Sequence, residues 1–515
     1  MRRTRHGLFL FLAVAALYVL VFLGHRWLAA GRALRLQAGV PEVLHYDLVD
    51  LRLTFSDPDL DRTFEASPPR VAVVFATSTV TTIAGVRDIR LSRQAPGLWT
   101  ARWPVPWNAP PGEYRPILLG RPELAPRLRT TPFVLGRRVP APLPKNGFVV
   151  ASLESVMPLS TMRVKAPDGT QKDWRGLLDW AQELGADAFW MLGGQTPGIL
   201  PGQVWVDTNL PLIAVVDKEC HRRGLKFGVY AMYSLTMSDK NKIPGYEYAL
   251  EIKDGHSVPT RAVSIRDPKR LDDVADFLRP FARNPDVDYV GIDYIRNALG
   301  GYELVDDFTS EMPGVKVPPE WPRLSREERM IWLARKKIMR RDMEFVDAWQ
   351  WWRAHRAALI VKELKARLGG EKPFWAFTLT WDKGWHHGQD PVMMNDAGVD
   401  YDALMFYEAD KEQYEAMLKD WHAYIRRGDA QLIPGNIFDW GLHQKDPEGP
   451  AEFGRRMRRA VAEVYGAGPA RGVFYHDLAR LIWGRLGPWG TKGWAEEARR
   501  ISRYVKSKPV TDKTP

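Results

Sequence analysis

Eight short apolar runs, each followed by a stretch with helical periodicity, occupy residues 147 to about 505. The runs are GFVVASLES, DAFWMLGG, LKFGVYAMYS, DYVGIDYIR, PFWAFTLTW, DALMFYEAD, LIPGNIFDW and GVFYHDLAR. Strict alternation of strands and helices predicts a parallel sheet. Eight repeats favour closure into a (β/α)8 barrel over an open doubly wound sheet, and no glycine-rich phosphate loop follows the first strand. We therefore predict an α/β chain with a (β/α)8 barrel over residues 147–505.

The N-terminus carries an apolar segment. After MRRTRHG, about 17 uncharged residues extend from Leu8 to Gly24, close to the lower limit for a membrane-spanning helix. A cleaved signal peptide is the alternative, but no clean A-x-A site follows the run. We expect residues 1–30 to form a signal anchor and the protein to be a single-pass protein of the bacterial inner membrane. Its barrel would then lie outside the cytoplasm, in the periplasm or the extracellular space.

Three further segments are predicted around the barrel. Residues 41–138 contain short alternating or β-branched runs separated by Pro/Gly turns, which predicts a small immunoglobulin-like β-sandwich. Residues 139–146 are rich in proline and are typical of a stiff linker. Residues 506–515 are predicted to be a disordered tail.

Charge and cysteine content limit the possible partners. The net charge of +11 would allow contact with an acidic polymer, but the basic residues are spread over helix faces and no nucleic-acid-binding motif is present. A single cysteine, Cys220, excludes an intrachain disulfide and is predicted to be a buried packing residue. The sequence leaves the oligomeric state open.

The fourth apolar run ends in the most informative polar residue. Side chains two positions apart share one face of a strand, so Gly291, Asp293 and Ile295 point the same way. Barrel enzymes build their sites at the C-terminal ends of the strands. We predict Asp293 as a catalytic nucleophile or base, with Arg296 close enough to keep it ionised. The alternative is a purely structural ion pair between these two residues.

The sixth run offers a second carboxyl group. Glu408 follows the apolar Phe406 and Tyr407, a neighbourhood that would raise its pKa as a general acid requires. We predict Glu408 as this acid. The alternative is a carboxylate at the start of the next helix, where Asp410 is the better N-cap.

Other polar and aromatic side chains recur at the ends of the predicted strands. Recurrence in phase with the strands predicts a common rim that binds substrate, and an indole face can stack on a sugar ring. Tryptophans inside the long predicted helix from about Ser325 to Leu368 are expected to pack instead. The predicted substrate-binding residues, besides Arg296, are Glu154, Trp190, Tyr230, Tyr233, Trp381, Asp382, Trp385, His386, Asn436, Asp439, Trp440, His476 and Asp477.

The sequence predicts neither a metal nor another cofactor. His386 and His387 are adjacent, and adjacent residues of an extended segment point to opposite sides. No HExxH motif and no paired-cysteine motif occurs, and the G-x-S-x-G elbow of serine hydrolases is absent.

With these residues in view, the barrel resembles the glycosyl-hydrolase-like family 10 barrels of bacterial envelopes. The resemblance covers about residues 147–477 and lies in LPLIAVVDKECHRRGLKFGVYAMYS, VDYVGIDYIRN, DAWQWWRAHRAALIVKELKARL and VDYDALMFYE. It implies a glycosidase that acts on an envelope or extracellular polysaccharide, with Asp293 at the family's strand-four carboxylate. The family often continues that strand with an Arg-Tyr-Pro-like ending, whereas Arg296 is followed here by Asn-Ala-Leu-Gly.

Three function classes follow from these patterns. The first is a membrane-anchored glycoside hydrolase that cleaves a polysaccharide with Asp293 and Glu408. The second is a non-catalytic polysaccharide-binding or assembly barrel that lacks a working acid. The third is a metal-dependent hydrolase such as a deacetylase.

Overall fold

The computed structural model describes fourteen stretches of the chain. They are residues 33–76, 78–80, 88–107, 109–155, 157–196, 204–236, 242–296, 300–339, 341–380, 387–407, 410–425, 430–438, 449–466 and 471–507. They form two compact units, one of residues up to Arg137 together with Thr309–Lys316, and one of Arg138–Phe308 together with residues from Val317 onward.

The first unit is built almost entirely from β-strands. Its only described α-helix, α1, is Pro58–Ala66. Its strands are β1 (Leu34–Ala38), β2 (Glu42–Val43), β3 (Leu48–Thr54), β4 (Arg70–Phe75), β5 (Ser78–Thr79), β6 (Ile89–Arg90), β7 (Ser92–Ala95), β8 (Leu98–Pro104), β9 (Gly112–Leu119), β10 (Leu128–Thr131) and β11 (Phe133–Leu135).

These strands form two sheets around one apolar core. One sheet has the order β10-β1-β3-β8-β7, and the other has β2-β11-β9-β4-β5 with β6 paired to β4. In β3 every second residue is buried, the pattern of a strand with one face toward a core. Trp103 of the first sheet packs against Tyr114 and Phe133 of the second, with ring centroids 5.9 and 5.8 Å apart. The predicted immunoglobulin-like relationship of this unit stays a prediction.

The second unit contains the eight-stranded barrel that the sequence predicts. Its strands are β12 (Phe148–Leu153), β15 (Ala188–Thr196), β16 (Lys226–Thr236), β19 (Tyr289–Asp293), β20 (Phe374–Leu379), β21 (Tyr401–Met405), β22 (Leu432–Ile437) and β23 (Gly472–His476). Neighbouring strands are parallel, in the order β15-β12-β23-β22-β21-β20-β19-β16, and β15 also pairs with β16. This last pairing closes the sheet, so the predicted (β/α)8 architecture is confirmed.

The remaining elements of this unit surround the barrel strands. Two short hairpins are β13 (Val164–Lys165) with β14 (Gln171–Lys172), and β17 (Tyr248–Lys253) with β18 (His256–Val263). The helices are α2 (Arg175–Glu183), α3 (Val204–Arg222), α4 (Pro268–Arg283), α5 (Val305–Glu311), α6 (Arg326–Met339), α7 (Met343–Leu368), α8 (Pro391–Ala397), α9 (Lys411–Ile425), α10 (Pro450–Tyr465), α11 (Leu478–Trp483) and α12 (Gly490–Lys506).

Bulky aromatic side chains fill the lower barrel. Phe148, Tyr289 and Tyr401 form one layer, with ring centroids 5.5 to 6.0 Å apart. Above it Trp190 stacks on Trp375 at 4.1 Å. The lower part of the barrel interior is therefore a packed aromatic core.

The single long helix predicted from Ser325 to Leu368 is wrong, because the structure has two helices there. α6 ends at Met339 and α7 begins at Met343. Asp342 caps α7, since its carboxylate accepts a hydrogen bond from the backbone N–H of Phe345 at 3.1 Å. A side-chain cap of this kind satisfies a donor that a continuous helix would satisfy with a backbone carbonyl.

The expected single-pass location in the inner membrane is also contradicted. Across the stretches that the structure describes, no helix combines the length and the apolar character needed to cross a bilayer. The expectation was based on residues 1–30, which lie outside the described residues.

Candidate active site

A cavity of about 900 Å³ opens at the C-terminal end of the barrel strands. Its floor and walls include Glu154, Asp293, Arg296, Tyr407, His476 and Arg480, which follow the ends of four different strands or lie at them. The hairpin β17–β18 adds a further wall that carries Glu251, Lys253 and Arg261. A cavity of this size that gathers titratable groups at the barrel mouth is the expected position of an active site.

Asp293 is the last residue of β19, and its carboxylate lines this cavity. It is buried, and its Oδ1 atom accepts hydrogen bonds from the backbone N–H of Tyr294 at 2.6 Å and from Arg296 Nη1 at 3.4 Å. Both donors stabilise the ionised form. The ion pair that the sequence offered as an alternative is therefore present, and it faces the cavity.

The backbone after Asp293 is held in an unusual conformation. Tyr294 has a φ of 54°, in the left-handed region that a bulky L-residue rarely adopts. Ser234 fixes this turn, because its hydroxyl donates to the carbonyl of Arg296 at 2.9 Å and also contacts the carbonyl of Tyr294. The Arg296 guanidinium then lies 4.0 Å from the centroid of the Tyr294 ring. Strained residues of this kind concentrate at functional sites, where surrounding contacts hold them.

Glu154 is the second carboxyl group in the cavity. It follows β12, and positions 148, 150, 152 and 154 share one face, which is the inner face because Phe148 packs in the lumen. Burial, together with the negative charges of Asp293 and Asp477, raises the pKa of Glu154 to about 8. Glu154 is therefore mostly protonated at neutral pH.

Asp477 contacts the backbone of Glu154. Its Oδ2 accepts the backbone N–H of Glu154 at 2.7 Å, and its Oδ1 caps α11 by accepting the N–H of Arg480 at 3.1 Å. Burial raises the pKa of Asp477 to about 6. Asp477 thus both positions the Glu154 backbone and contributes negative potential beside its carboxyl group.

His476 and Tyr407 form a flat wall of the cavity. Their rings are stacked, with centroids 5.3 Å apart and planes 5° apart. His476 Nε2 lies 3.6 Å from Glu154 Oε2. Burial, and then the nearby Arg480 charge, lowers the pKa of His476 to about 3, so the imidazole is neutral at pH 7. A neutral ring next to Glu154 does not favour loss of the Glu154 proton.

Tyr230 lies directly below these groups. Its ring packs against Trp375 and Phe377, and its hydroxyl donates to the Leu153 carbonyl at 3.4 Å. Burial and the charges of Glu154 and Asp293 raise the pKa of its hydroxyl. Tyr230 therefore forms the layer between the aromatic core and the carboxyl groups.

Like Tyr230 and Asp477, three more predicted substrate-binding residues do not line the cavity. Trp190 is fully buried between the aromatic layers, so it is a packing residue of the lumen. Tyr233 is buried beside Arg270, whose guanidinium contacts the Tyr233 carbonyl from α4. Asn436 is in register with Tyr475, whose hydroxyl donates to the Ala498 carbonyl in the outer helix α12. None of the three is among the described residues that line the cavity.

The other predicted site residues lie outside the described residues. These are the proposed acid Glu408 and the rim residues Trp381, Asp382, Trp385, His386, Asp439 and Trp440. Their roles stay predictions.

Several cavity residues were not predicted from the sequence. They include Tyr407 and the residues of the hairpin β17–β18. The two strands of this hairpin are joined at Asp254-Gly255, with φ values of 52° and 82°. An Asp-Gly pair between apolar runs is a strong hairpin signal, so the hairpin could have been predicted.

The metal-dependent alternative stays untested. Within the described residues, no three His, Cys, Asp or Glu side chains are grouped as ligands for one ion.

Comparison with known proteins gives the fold a context. No family model matches the sequence, and no curated protein matches it. Among solved structures, the chain is similar to a β-galactosidase from the psychrophilic Marinomonas ef1, with a TM-score of 0.41, 12% identity, and coverage of 70% of this chain and 59% of that one. It is also similar to a β-galactosidase from the haloarchaeon Halorubrum lacusprofundi, with a TM-score of 0.42, 10% identity, and coverage of 64% and 56%.

A third similar structure is the exo-β-1,4-mannosidase Op5Man5 from Opitutaceae bacterium strain TAV5. The TM-score is 0.38 with 15% identity, and the match covers 70% of this chain and 60% of that one. The chain thus spans about three fifths of the length of these glycosidases.

Proposed function

We propose that this protein is a glycoside hydrolase in which Asp293 and Glu154 are the two catalytic carboxyl groups. The observation that supports this most is that both carboxyl groups line one cavity and have different surroundings. Asp293 accepts hydrogen bonds from Arg296 and a backbone N–H, whereas Glu154 keeps its proton because burial and the Asp293 charge raise its pKa to about 8. Glycosidic cleavage needs one ionised and one protonated carboxyl group at the same bond.

The roles follow from these protonation states. Glu154 donates its proton to the oxygen of the leaving sugar as the glycosidic bond breaks. Asp293 either attacks the anomeric carbon directly or removes a proton from the water molecule that does so. In both courses its negative charge stabilises the oxocarbenium-like transition state.

This assignment differs from the prediction that names Glu408 as the acid, which stays untested. Glu154 is proposed because it lines the same cavity as Asp293 and carries the raised pKa that an acid requires. The carboxyl pair therefore comes from the first and fourth barrel strands.

The substrate in this proposal is an oligo- or polysaccharide. A cavity of about 900 Å³ lies at the upper end of the range for small-molecule sites, so it has room for more than one sugar unit. The stacked Tyr407–His476 wall offers a flat face for a ring. An envelope or extracellular polysaccharide, as the resemblance to family 10 barrels implies, stays a prediction.

Leaving-group dependence tests the two roles. Asp293→Asn should abolish release of reducing ends from every substrate. Glu154→Gln should abolish cleavage of a natural glycoside but keep much more activity on a nitrophenyl glycoside, because a good leaving group needs no proton. Glu412→Gln, an exposed carboxyl group on α9, is the matched control and should behave like the unaltered protein.

Two results would contradict the proposal. An Asp293→Asn protein that still releases reducing ends at the normal rate excludes Asp293 as nucleophile or base. Binding of saccharides without any release of reducing ends by the unaltered protein would favour the non-catalytic binding barrel.

A further inference from the structure

We propose that Trp483 and Trp489 form a second saccharide-binding surface beside the cavity, where their indole faces hold sugar units of a chain that extends out of it. These two residues are called the tryptophan platform below. The inference rests on the proposed function and deepens it, because it names long polymers, rather than short glycosides, as the substrate class.

The two indoles stand out by their exposure. Trp483 is 41% exposed and Trp489 is 43% exposed. No other tryptophan whose side chain the structure describes is exposed. Binding surfaces use tryptophan because its flat, rigid ring offers a large contact area at a low cost in conformational entropy.

Trp483 belongs to the short helix that borders the cavity. α11 begins directly after β23, and its N-cap residue Asp477 accepts the backbone N–H of Glu154 at 2.7 Å. Arg480 of this helix lines the cavity. Residues three apart are neighbours on a helix surface, so Trp483 follows Arg480 on the same side of α11, at the edge of the cavity.

Trp489 lies at the same end of the barrel. It is the N-cap residue of α12, and Val505 near the other end of that helix lies against Gly147, directly before β12 begins. A helix of 17 residues is about 25 Å long. Trp489 is therefore at the end of the barrel where the strands terminate and the cavity opens.

The Trp489 indole is held in place by glycine backbone. A Cβ atom added to Gly449 would lie 2.5 Å from Trp489 Cζ2, and one added to Gly487 would lie 2.8 Å from Cζ3. Both distances are shorter than van der Waals contact, so the indole fits only because these side chains are absent. The preceding segment is anchored as well, since the Trp494 indole N–H donates to the Leu486 carbonyl at 3.0 Å. A ring that is already fixed binds a ligand with little further loss of entropy.

The surroundings of the two indoles favour a saccharide over a protein partner. Among the described residues from 344 onward, no other large apolar side chain is exposed. Between the two tryptophans the chain reads Gly-Arg-Leu-Gly-Pro, and its leucine, Leu486, is buried. Protein and membrane interfaces present contiguous apolar patches, whereas a sugar ring presents one small apolar face surrounded by hydroxyl groups. Separate indole faces in a polar surrounding match the sugar.

Affinity electrophoresis of the full chain tests the platform without requiring turnover. The gels contain galactomannan, xyloglucan, pullulan or alginate, and we expect at least one polymer to retard the unaltered protein. Trp483→Ala and Trp489→Ala should each weaken this binding about 10-fold, because each removes a stacking face. Ile338→Ala, which removes an exposed apolar side chain on α6, is the control and should bind as the unaltered protein does.

Two further measurements distinguish lost stacking from a damaged fold. Trp483→Phe and Trp489→Phe keep a flat ring and should retain most of the binding. In the unaltered protein, limited oxidation by N-bromosuccinimide is followed by mass spectrometry of peptides. The polymer that binds should slow oxidation of both tryptophans about 5-fold, because a stacked sugar shields the indole from solvent.

The outcomes separate this inference from the proposed function. The platform is overturned if no polymer retards the unaltered protein, if the alanine variants bind equally well, or if the polymer leaves oxidation unchanged. Reducing ends whose release depends on Asp293 keep the hydrolase in each of these cases. Polymer binding that depends on the platform, without reducing ends from any polymer, supports the platform and overturns the hydrolase.

Discussion

Replacing Glu154 by glutamine should make the protein more stable at alkaline pH while it loses activity. Glu154 has a pKa of about 8 in the folded protein against 4.5 for an ordinary glutamate. Between pH 4.5 and pH 8 the carboxyl group is therefore protonated in the folded protein and ionised in the unfolded chain. Glutamine has nearly the same shape and never ionises, so the substitution removes this difference.

The magnitude follows from the two pKa values. Below pH 4.5 the carboxyl group is protonated in both states, so the variant and the unaltered protein should be equally stable. Between pH 4.5 and 8 the unfolded chain binds fewer protons, so the unaltered protein loses stability with rising pH. At about 1.4 kcal/mol per pH unit over about 3.5 units, the loss reaches about 5 kcal/mol at pH 8 and above.

Urea unfolding at pH 4.5, 6, 7 and 8.5 measures this effect. The quantity of interest is the free energy of unfolding of Glu154→Gln minus that of the unaltered protein, because contributions of titrating groups far from Glu154 largely cancel in it. The difference should grow steadily from near zero to several kcal/mol. Glu412→Gln is the control and should show no such trend. A flat difference across this pH range would refute the raised pKa and with it the role of Glu154 as acid.

Further expectations concern activity and packing. The value of kcat/KM should fall about tenfold per pH unit above pH 8, as Glu154 loses its proton, and a pH–rate profile measures this. Glu408→Gln should keep most of its activity in a reducing-end assay; a loss equal to that of Glu154→Gln would restore Glu408 as the acid. Gly291→Ala should lower stability by about 1 to 3 kcal/mol, because the added Cβ would overlap the Trp375 indole, and urea unfolding at pH 6 measures the change. Dialysis against a chelator should leave activity unchanged, whereas a loss restored by a divalent cation would favour the metal-dependent alternative.

The barrel could be predicted from the sequence because its signal repeats. All eight strands begin within a few residues of the predicted runs, since each run is apolar on both faces and is followed by a helix. The failures occur where one local contact decides the structure. The Asp342 cap divides the long helix, and the Asp254-Gly255 turn forms a hairpin that was not predicted.

The alternation of side chains along the strands could have predicted that Glu154 and Asp293 both face the barrel interior. Phe148 and Tyr289 pack in the lumen, so the even positions of β12 and the odd positions of β19 face inward, which includes Glu154 and Asp293. The same count on β21 assigns the lumen to the odd positions, and Tyr407 lines the cavity.

The division of roles between the two carboxyl groups required the three-dimensional structure. The groups that perturb Glu154 are Asp293 and Asp477, which are 139 and 323 positions away in the sequence, and no local pattern brings them together. In the folded barrel the charges of Asp293 and Asp477 lie beside Glu154. Among the described residues, no cation lies as close to Glu154 as Arg296 lies to Asp293. Arg296 favours a carboxylate at Asp293, whereas burial and the neighbouring negative charges favour a protonated Glu154, and this is the asymmetry that the proposed chemistry needs.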